Sequence, residues 1–72
     1  MNINTIKKNI SSQKGKIIKF KYNGARNQTE EFSGTIENIY NAIFTIRLKD
    51  DTKIKTFTYS DVLMESLELF IE

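Results

Sequence analysis

Apolar residues recur along the chain at two different spacings, which separate one helical segment from several extended ones. The isoleucines near the start lie three or four residues apart, at Ile3, Ile6 and Ile10. This spacing predicts an amphipathic helix over about residues 4–13, with Asn2 or Asn4 as its N-cap and Gly15 after its end. Because isolated helices of this length are marginal in water, the isoleucines must pack on an apolar surface.

After Gly15 the apolar period changes to two, which predicts a first strand. Three apolar and three polar residues alternate there: Ile18, Phe20 and Tyr22 with Lys19, Lys21 and Asn23. Ile17 stands on the polar side, and we expect it to receive the isoleucines of the helix. A second strand is predicted over about Thr29–Tyr40, where Gly34 indicates a bulge or a sharp bend.

Three further strands follow the same alternation. The third contains residues 44–49, and the turn KDDT leads to a fourth over Lys53–Tyr59, whose aromatic residues we expect to face the core. A single helical turn with Ser60 or Asp61 as cap precedes a fifth strand at residues 67–71. The predicted core is Ile18, Phe20, Phe32, Ile36, Phe44, Ile46, Leu48, Leu63, Leu67 and Leu69. Tyr22, Tyr40 and Tyr59 should be partly exposed, with Phe70 near the surface.

Five short, sequential strands with a bent second strand describe a mainly β fold, a small five-stranded SH3-like barrel with a short N-terminal helix. We expect one domain over residues 1–72, with the barrel at about 16–71. An OB-type barrel is the alternative, but it usually places a helix between the third and fourth strands. The short KDDT connection leaves no room for that helix.

Charge is distributed unevenly along the chain. Residues 1–28 carry seven bases and no acid, whereas residues 29–72 carry four bases and nine acids. This asymmetry indicates either a basic face for an anionic partner or two halves whose charges cancel in the fold. Lys19, Lys21 and Tyr22 would belong to such a face, although lysines between core aromatics are also typical of an ordinary strand.

Candidate chemistry is sparse. The chain has no Cys and no His, which excludes disulfides, the common zinc ligand sets and imidazole bases. The adjacent acids Glu30 and Glu31 would point to opposite faces of a strand, and Ser60 has no base to activate it. We therefore predict no enzyme activity, no cofactor, no metal and no small-molecule substrate. The chain has no signal-type or membrane-spanning apolar run, which predicts a cytoplasmic protein with no membrane partner.

The segment KYNGARNQTEEFSG contains the first candidate binding site. Asn23-Gly24 is typical of a tight hairpin turn, and Arg26 follows it, flanked by Asn27 and Gln28. Loops on a small rigid barrel commonly carry recognition residues, although a solvated loop explains one arginine equally well. Glu68 and Phe70, near the end of the chain, form a second candidate surface.

Four stretches, GKIIKF, NGAR, SGTIENIYNAIFTIRL and TFTYSDVLMESLEL, resemble the Veg family, small cytoplasmic proteins of low-GC Gram-positive bacteria. The most specific stretch is residues 59–69. The resemblance implies an SH3-like barrel without known catalysis that stimulates biofilm formation through gene regulation. Two departures concern function: the family's strongly basic turn is reduced to Arg26, and a family-typical proline is Asn41.

These patterns lead to one main hypothesis and one alternative. The main hypothesis is a non-catalytic regulatory protein that binds a macromolecular partner, with Arg26, Asn27, Gln28, Lys19, Lys21 and Tyr22 as candidate contacts. The alternative is an RNA- or DNA-binding module that uses the basic face and the loop at residues 23–28. The sequence leaves open which macromolecule binds and whether a weak homo-oligomer forms.

Overall fold

The helices and strands follow the apolar pattern. The computed structural model describes residues 2–24, 28–50 and 52–71. Its elements, in chain order, are α1 (Ile3–Ser12), β1 (Ile17–Asn23), β2 (Thr29–Ile39), β3 (Ile43–Leu48), β4 (Ile54–Thr58), α2 (Tyr59–Leu63) and β5 (Leu67–Phe70). The predicted mainly β class, with five strands and a short N-terminal helix, is confirmed.

Helix α1 is capped by Asn2, whose side-chain oxygen accepts a hydrogen bond from the Thr5 amide at 2.9 Å. Its apolar residues Ile6 and Ile10 are buried, and α1 packs beside α2. The prediction that Ile17 receives this helix is wrong, since Ile17 is 65 % exposed. Ile17 is out of phase with the buried Ile18, so the strand places it on the outer face.

All pairings in the sheet are antiparallel, and the strand order is β4-β3-β2-β1-β5. Residues 29–35 of β2 pair with β1, whereas residues 34–39 pair with β3. The sheet curls so that the Phe57 ring of β4 lies 5.9 Å from Phe32 and 5.5 Å from Tyr22, between ring centroids. This curled sheet is the predicted five-stranded SH3-like barrel.

Gly34 lies where β2 exchanges one partner strand for the other, but it is not the bulge. It pairs with Ile18 and with Leu48, and the register shift comes between Ile36 and Asn38. A Cβ at Gly34 would approach the carbonyl oxygen of Arg47 to 2.6 Å. The glycine therefore permits a close approach of β2 and β3.

Nine of the ten predicted core residues are buried in the core or packed against it, which confirms the prediction for them. Leu63 is the exception and is 41 % exposed. Tyr59 and Val62 of α2 contact the core, whereas Leu63, the last residue of this helix, lies towards solvent. The four additional core residues, from α1, β4 and α2, are Ile6, Ile10, Phe57 and Tyr59.

Tyr59 is fully buried, so the prediction of partial exposure is wrong for this residue. Its hydroxyl donates a hydrogen bond of 2.6 Å to the carbonyl oxygen of Tyr40. The partner makes burial of the polar hydroxyl tolerable. Burial also raises the pKa of Tyr59 above its ordinary value.

Helix α2 begins with a capping box. Its N-cap is Thr58, whose hydroxyl accepts from the Asp61 amide, while the Asp61 carboxylate accepts from the Thr58 amide. The prediction of Ser60 or Asp61 as the cap is wrong, since Thr58 holds that position. Asp61 supplies the other half of the box.

Candidate partner-binding surface

Strand β1 presents its lysines and its aromatic residues on opposite faces. Lys19 and Lys21 lie on the outer face, because the alternate residues Ile18 and Phe20 are buried. Tyr22 lies on the inner face, with its ring centroid 5.5 Å from that of Phe57. The structure therefore does not bring Tyr22 together with the two lysines.

Acidic residues from the neighbouring strands compensate the outer face of β1. The ammonium nitrogen of Lys19 lies 3.5 Å from a carboxylate oxygen of Glu31. Lys21 stands opposite Glu31 on β2 and Glu68 on β5. Two lysines and two glutamates thus balance one another on this face of β1.

The loop after β1 is longer than the predicted tight turn. Asn23 is still paired with Thr29, and the Gly24 amide donates to the Gln28 carbonyl at 2.7 Å, so Asn23 and Gly24 both belong to the paired end of the hairpin. The prediction that Asn23-Gly24 itself forms the tight hairpin turn is therefore wrong. The candidate contacts Arg26 and Asn27 lie outside the described residues, and Gln28 is exposed.

Asn23 has a structural role at this end of β1. Its side-chain amide donates to the Glu65 carbonyl at 3.2 Å and to a Glu68 carboxylate oxygen at 3.1 Å. Its backbone amide also donates to the Ser66 carbonyl. These bonds hold the start of β5 against the end of β1 and engage Glu68, a candidate contact.

Phe70 lies directly opposite Lys19 in the pairing of β5 with β1. Its side chain is 48 % exposed, as predicted, and Ile17 and Ile71 beside it are also exposed. An open groove at this place is lined by Gln13, Lys16, Ile17, Ile18, Lys19, Phe70 and Ile71. We call it the Phe70 groove. The groove contains Lys19 and Phe70, which belong to two candidate surfaces that were predicted as separate.

The loop and the Phe70 groove lie towards opposite ends of β1. Ile17 and Asn23 are six residues apart, which corresponds to about 20 Å along an extended strand. The candidate contacts therefore divide into two places rather than forming one site.

Uncompensated positive charge lies on α1 and on the turn that follows it. Within the described ranges, Lys7, Lys8, Lys14 and Lys16 take part in no ion pair. The Lys7 ammonium instead lies 3.5 Å from the side-chain oxygen of Asn41. The absence of any acid before Glu30 is the sequence signal for this surface. Our prediction instead placed the basic face on β1.

Ion pairs also occupy charged residues elsewhere on the sheet. The Arg47 guanidinium donates two hydrogen bonds to the Glu37 carboxylate, one of them 2.9 Å long. These bonds lower the pKa of Glu37 and raise the pKa of Arg47. Lys55 pairs with Glu30 at 2.7 Å. These two pairs are already satisfied within the chain.

Residues 2–24, 28–50 and 52–71 contain neither a metal-type cluster of side chains nor a membrane-spanning helix. No cluster of three or more acidic, His or Cys side chains could hold a metal ion there. In the same ranges, no helix has both the length and the apolar character needed to cross a membrane.

Comparison with known families gives one match over nearly the whole chain. The family model described as "Biofilm formation stimulator VEG" matches residues 1–70 of the 72. The chain belongs to the Veg family. The match includes α1, every strand of the sheet, the loop after β1 and all residues of the Phe70 groove except Ile71. A search of curated proteins gave no match. Membership of the Veg family connects the chain with biofilm formation.

Proposed function

We propose that this Veg-family protein is a non-catalytic regulator that acts in the cytoplasm. It promotes biofilm formation by binding a protein partner and so changing gene expression. The family description supports the connection with biofilm formation. The lack of Cys and His supports a role in binding rather than in catalysis.

The Phe70 groove carries this proposal. Phe70, which is 48 % exposed, lines this groove together with two exposed isoleucines, Lys16 and Lys19. Exposed apolar groups with a polar rim are typical of protein–protein contacts, and buried aromatic anchors commonly supply much of the binding energy. The groove would accept an apolar side chain, with acidic groups of the partner near the lysines.

The charges around the groove favour a protein over a nucleic acid at this place. A phosphate backbone laid along the outer face of β1 would meet Glu31 and Glu68 as well as Lys19 and Lys21. Repulsion from the carboxylates would offset the attraction of the lysines. An apolar anchor has no such penalty.

Arg26, Asn27 and Gln28 form a second contact in this proposal. The reduced charge of this loop, relative to the strongly basic turn that the Veg resemblance implies, weakens attraction to polyanions. A single guanidinium remains well suited to one carboxylate of a protein partner, which it can bind through two parallel hydrogen bonds.

The test compares Phe70→Ala with Tyr40→Ala. Tyr40 is a matched control, because it is an aromatic residue that is 52 % exposed and lies outside the Phe70 groove. Each variant replaces the native chain in cells, and biofilm mass is measured together with proteins cross-linked to the chain after nuclease treatment. We expect Phe70→Ala to lose both biofilm mass and a cross-linked protein that wild type and Tyr40→Ala retain.

Folding must be measured in parallel. Circular dichroism melting should show Phe70→Ala folded at the growth temperature, since half of its side chain is already in solvent. Normal biofilm mass and normal cross-linking in the folded Phe70→Ala variant would contradict the proposed role of the groove. Loss of every cross-link after nuclease treatment of wild type would contradict a protein partner.

A further inference from the structure

We propose that α1 and the turn after it bind the phosphate backbone of duplex DNA. This α1 surface consists of Asn4, Lys7, Lys8, Ser11 and Lys14. It is a second binding surface, distinct from the Phe70 groove, and it goes beyond the proposed binding of a protein.

Charge is the first observation. Residues 2–24 contain six lysines and no acid, and acids of β2 and β5 compensate only those on β1. Lys8 and Lys14 are exposed, and neither forms an ion pair within the described part of the chain. Their field therefore reaches solvent, where it attracts a polyanion.

The polar residues of α1 give the second observation. A shallow hollow on the outer side of the helix is lined by Asn2, Asn4, Thr5, Lys7, Lys8 and Ser11. All of these side chains are cations or neutral amides and hydroxyls, and none is a carboxylate. Lysine, asparagine, serine and threonine are among the side chains that commonly contact phosphate and sugar in DNA complexes.

The carboxylates of α2, of β5 and of the segment between them belong to other contacts. Asp61 accepts the Thr58 amide in the capping box of α2. Glu65 and Glu68 line a different groove, which contains Ile6, Asn9 and Ile10 of α1. The acids and the lysine-bearing hollow therefore adjoin different residues of the helix.

The apolar side of α1 argues against a membrane as the ligand. Ile6 and Ile10 are buried in the core, and none of the exposed large apolar residues in the described ranges lies on α1. An amphipathic helix that binds a bilayer must insert an apolar face, and this helix has none to insert.

The composition of the surface also distinguishes among nucleic acids. Single-stranded RNA is commonly held by stacking on aromatic rings, and α1 and its turn contain no aromatic residue. The major groove of B-form DNA admits a helix, whereas that of A-form RNA is too narrow for side chains to read. These differences favour duplex DNA.

The expected binding is weak and strongly dependent on salt. Three or four lysines, each neutralising one phosphate, give a slope of about −2.7 to −3.6 for the logarithm of affinity against the logarithm of salt concentration. Affinity should then fall about 40- to 150-fold when salt is raised from about 50 to 200 mM.

The experiment measures fluorescence anisotropy of a labelled 20-base-pair duplex at several salt concentrations. It compares wild type with Lys8→Ala/Lys14→Ala and with the control Lys21→Ala/Lys49→Ala, which removes the same charge elsewhere. In the α1 double variant, the slope of the logarithm of affinity against the logarithm of salt concentration should be less steep by about 2. Each lost phosphate contact removes about 1 from this slope. The control should bind nearly as wild type does. Melting curves must show that both variants are folded.

Other ligands are tested on the same proteins. A 20-nucleotide single-stranded RNA and vesicles with anionic lipids should both bind more weakly than the duplex at equal salt. The proposal would be overturned by tighter binding of the RNA or the vesicles than of the duplex. It would also be overturned if both double variants lost the same duplex affinity, or if wild type bound no duplex at about 50 mM salt. Phe70→Ala should bind the duplex as wild type does. The proposal of DNA binding is therefore tested by the lysine variants, and the proposal of a protein partner is tested separately by Phe70→Ala.

Discussion

At the scale of single residues, Tyr59 combines a buried ring with a buried, hydrogen-bonded hydroxyl. Its ring stacks on Phe44 at 5.5 Å between centroids, and its hydroxyl donates to the Tyr40 carbonyl. The period-two pattern predicted the inward direction of Tyr59. It did not predict complete burial, because the acceptor lies 19 residues away and only the fold brings it into reach.

Tyr59 should make the protein sensitive to alkaline pH. Burial raises its pKa in the folded state, whereas in the unfolded chain it ionises near its ordinary value of about 10. Below that pH both states are protonated and stability is complete. Above it only the unfolded state loses the proton, so the free energy of unfolding should fall, by at most about 1.4 kcal/mol per pH unit from this group.

Urea unfolding between pH 8 and 11 tests this dependence. Tyr59→Phe should unfold more easily near pH 8, by about 0.5–1.5 kcal/mol, because it loses the hydrogen bond to Tyr40. It should also lose part of the alkaline destabilisation. Tyr40→Phe changes an exposed tyrosine and should keep the full dependence. Identical pH profiles for wild type and Tyr59→Phe would refute this role.

At the scale of elements, the short helix α2 depends on its cap. Five residues are too few to form a stable helix alone, and α2 is held by the capping box and by the burial of Tyr59. The sequence predicted the helical turn but misplaced its cap by at least two residues. Thr58 belongs to the strand pattern of β4, and that pattern concealed its second role.

Removal of the cap should destabilise the protein measurably. Thr58→Ala loses the hydroxyl that accepts from the Asp61 amide and should lower the free energy of unfolding by about 0.5–2 kcal/mol. Thr58→Ser keeps a hydroxyl at the same position and should recover most of the loss. The two variants are compared by urea unfolding near pH 7. Equal destabilisation by alanine and serine would show that the methyl group, rather than the cap, matters here.

At the scale of the whole molecule, the fold follows from local patterns, whereas the surface depends on pairings between distant residues. Alternation and the helical spacing of isoleucines were sufficient for five strands and α1. The neighbourhood of Lys19 and Phe70 was not predictable, because these residues are 51 positions apart and meet only when β5 pairs with β1. The same pairing neutralises the lysines of β1, and a count of charges along the chain could not reveal this.

The separation of the two proposed contacts leads to a prediction for Arg26. If the loop and the Phe70 groove both hold the same partner, Arg26→Ala and Phe70→Ala should each weaken the complex. Because Phe70 pairs with Lys19, which lies about 13 Å along β1 from Asn23, their effects on the free energy of binding should add to within about 0.5 kcal/mol. Arg26→Ala should leave the melting temperature nearly unchanged, since an isolated surface charge contributes little to stability.

A double-mutant cycle on the purified complex, measured by calorimetry at physiological salt, tests this additivity. Gln28→Ala serves as a neutral control in the same loop. Additive losses would indicate one partner that spans the length of β1, as a protein can and a short apolar peptide in the groove cannot. Unchanged affinity of Arg26→Ala would remove the loop from the interface, and the proposed contact would then consist of Phe70, Ile17, Ile71 and the lysines beside them.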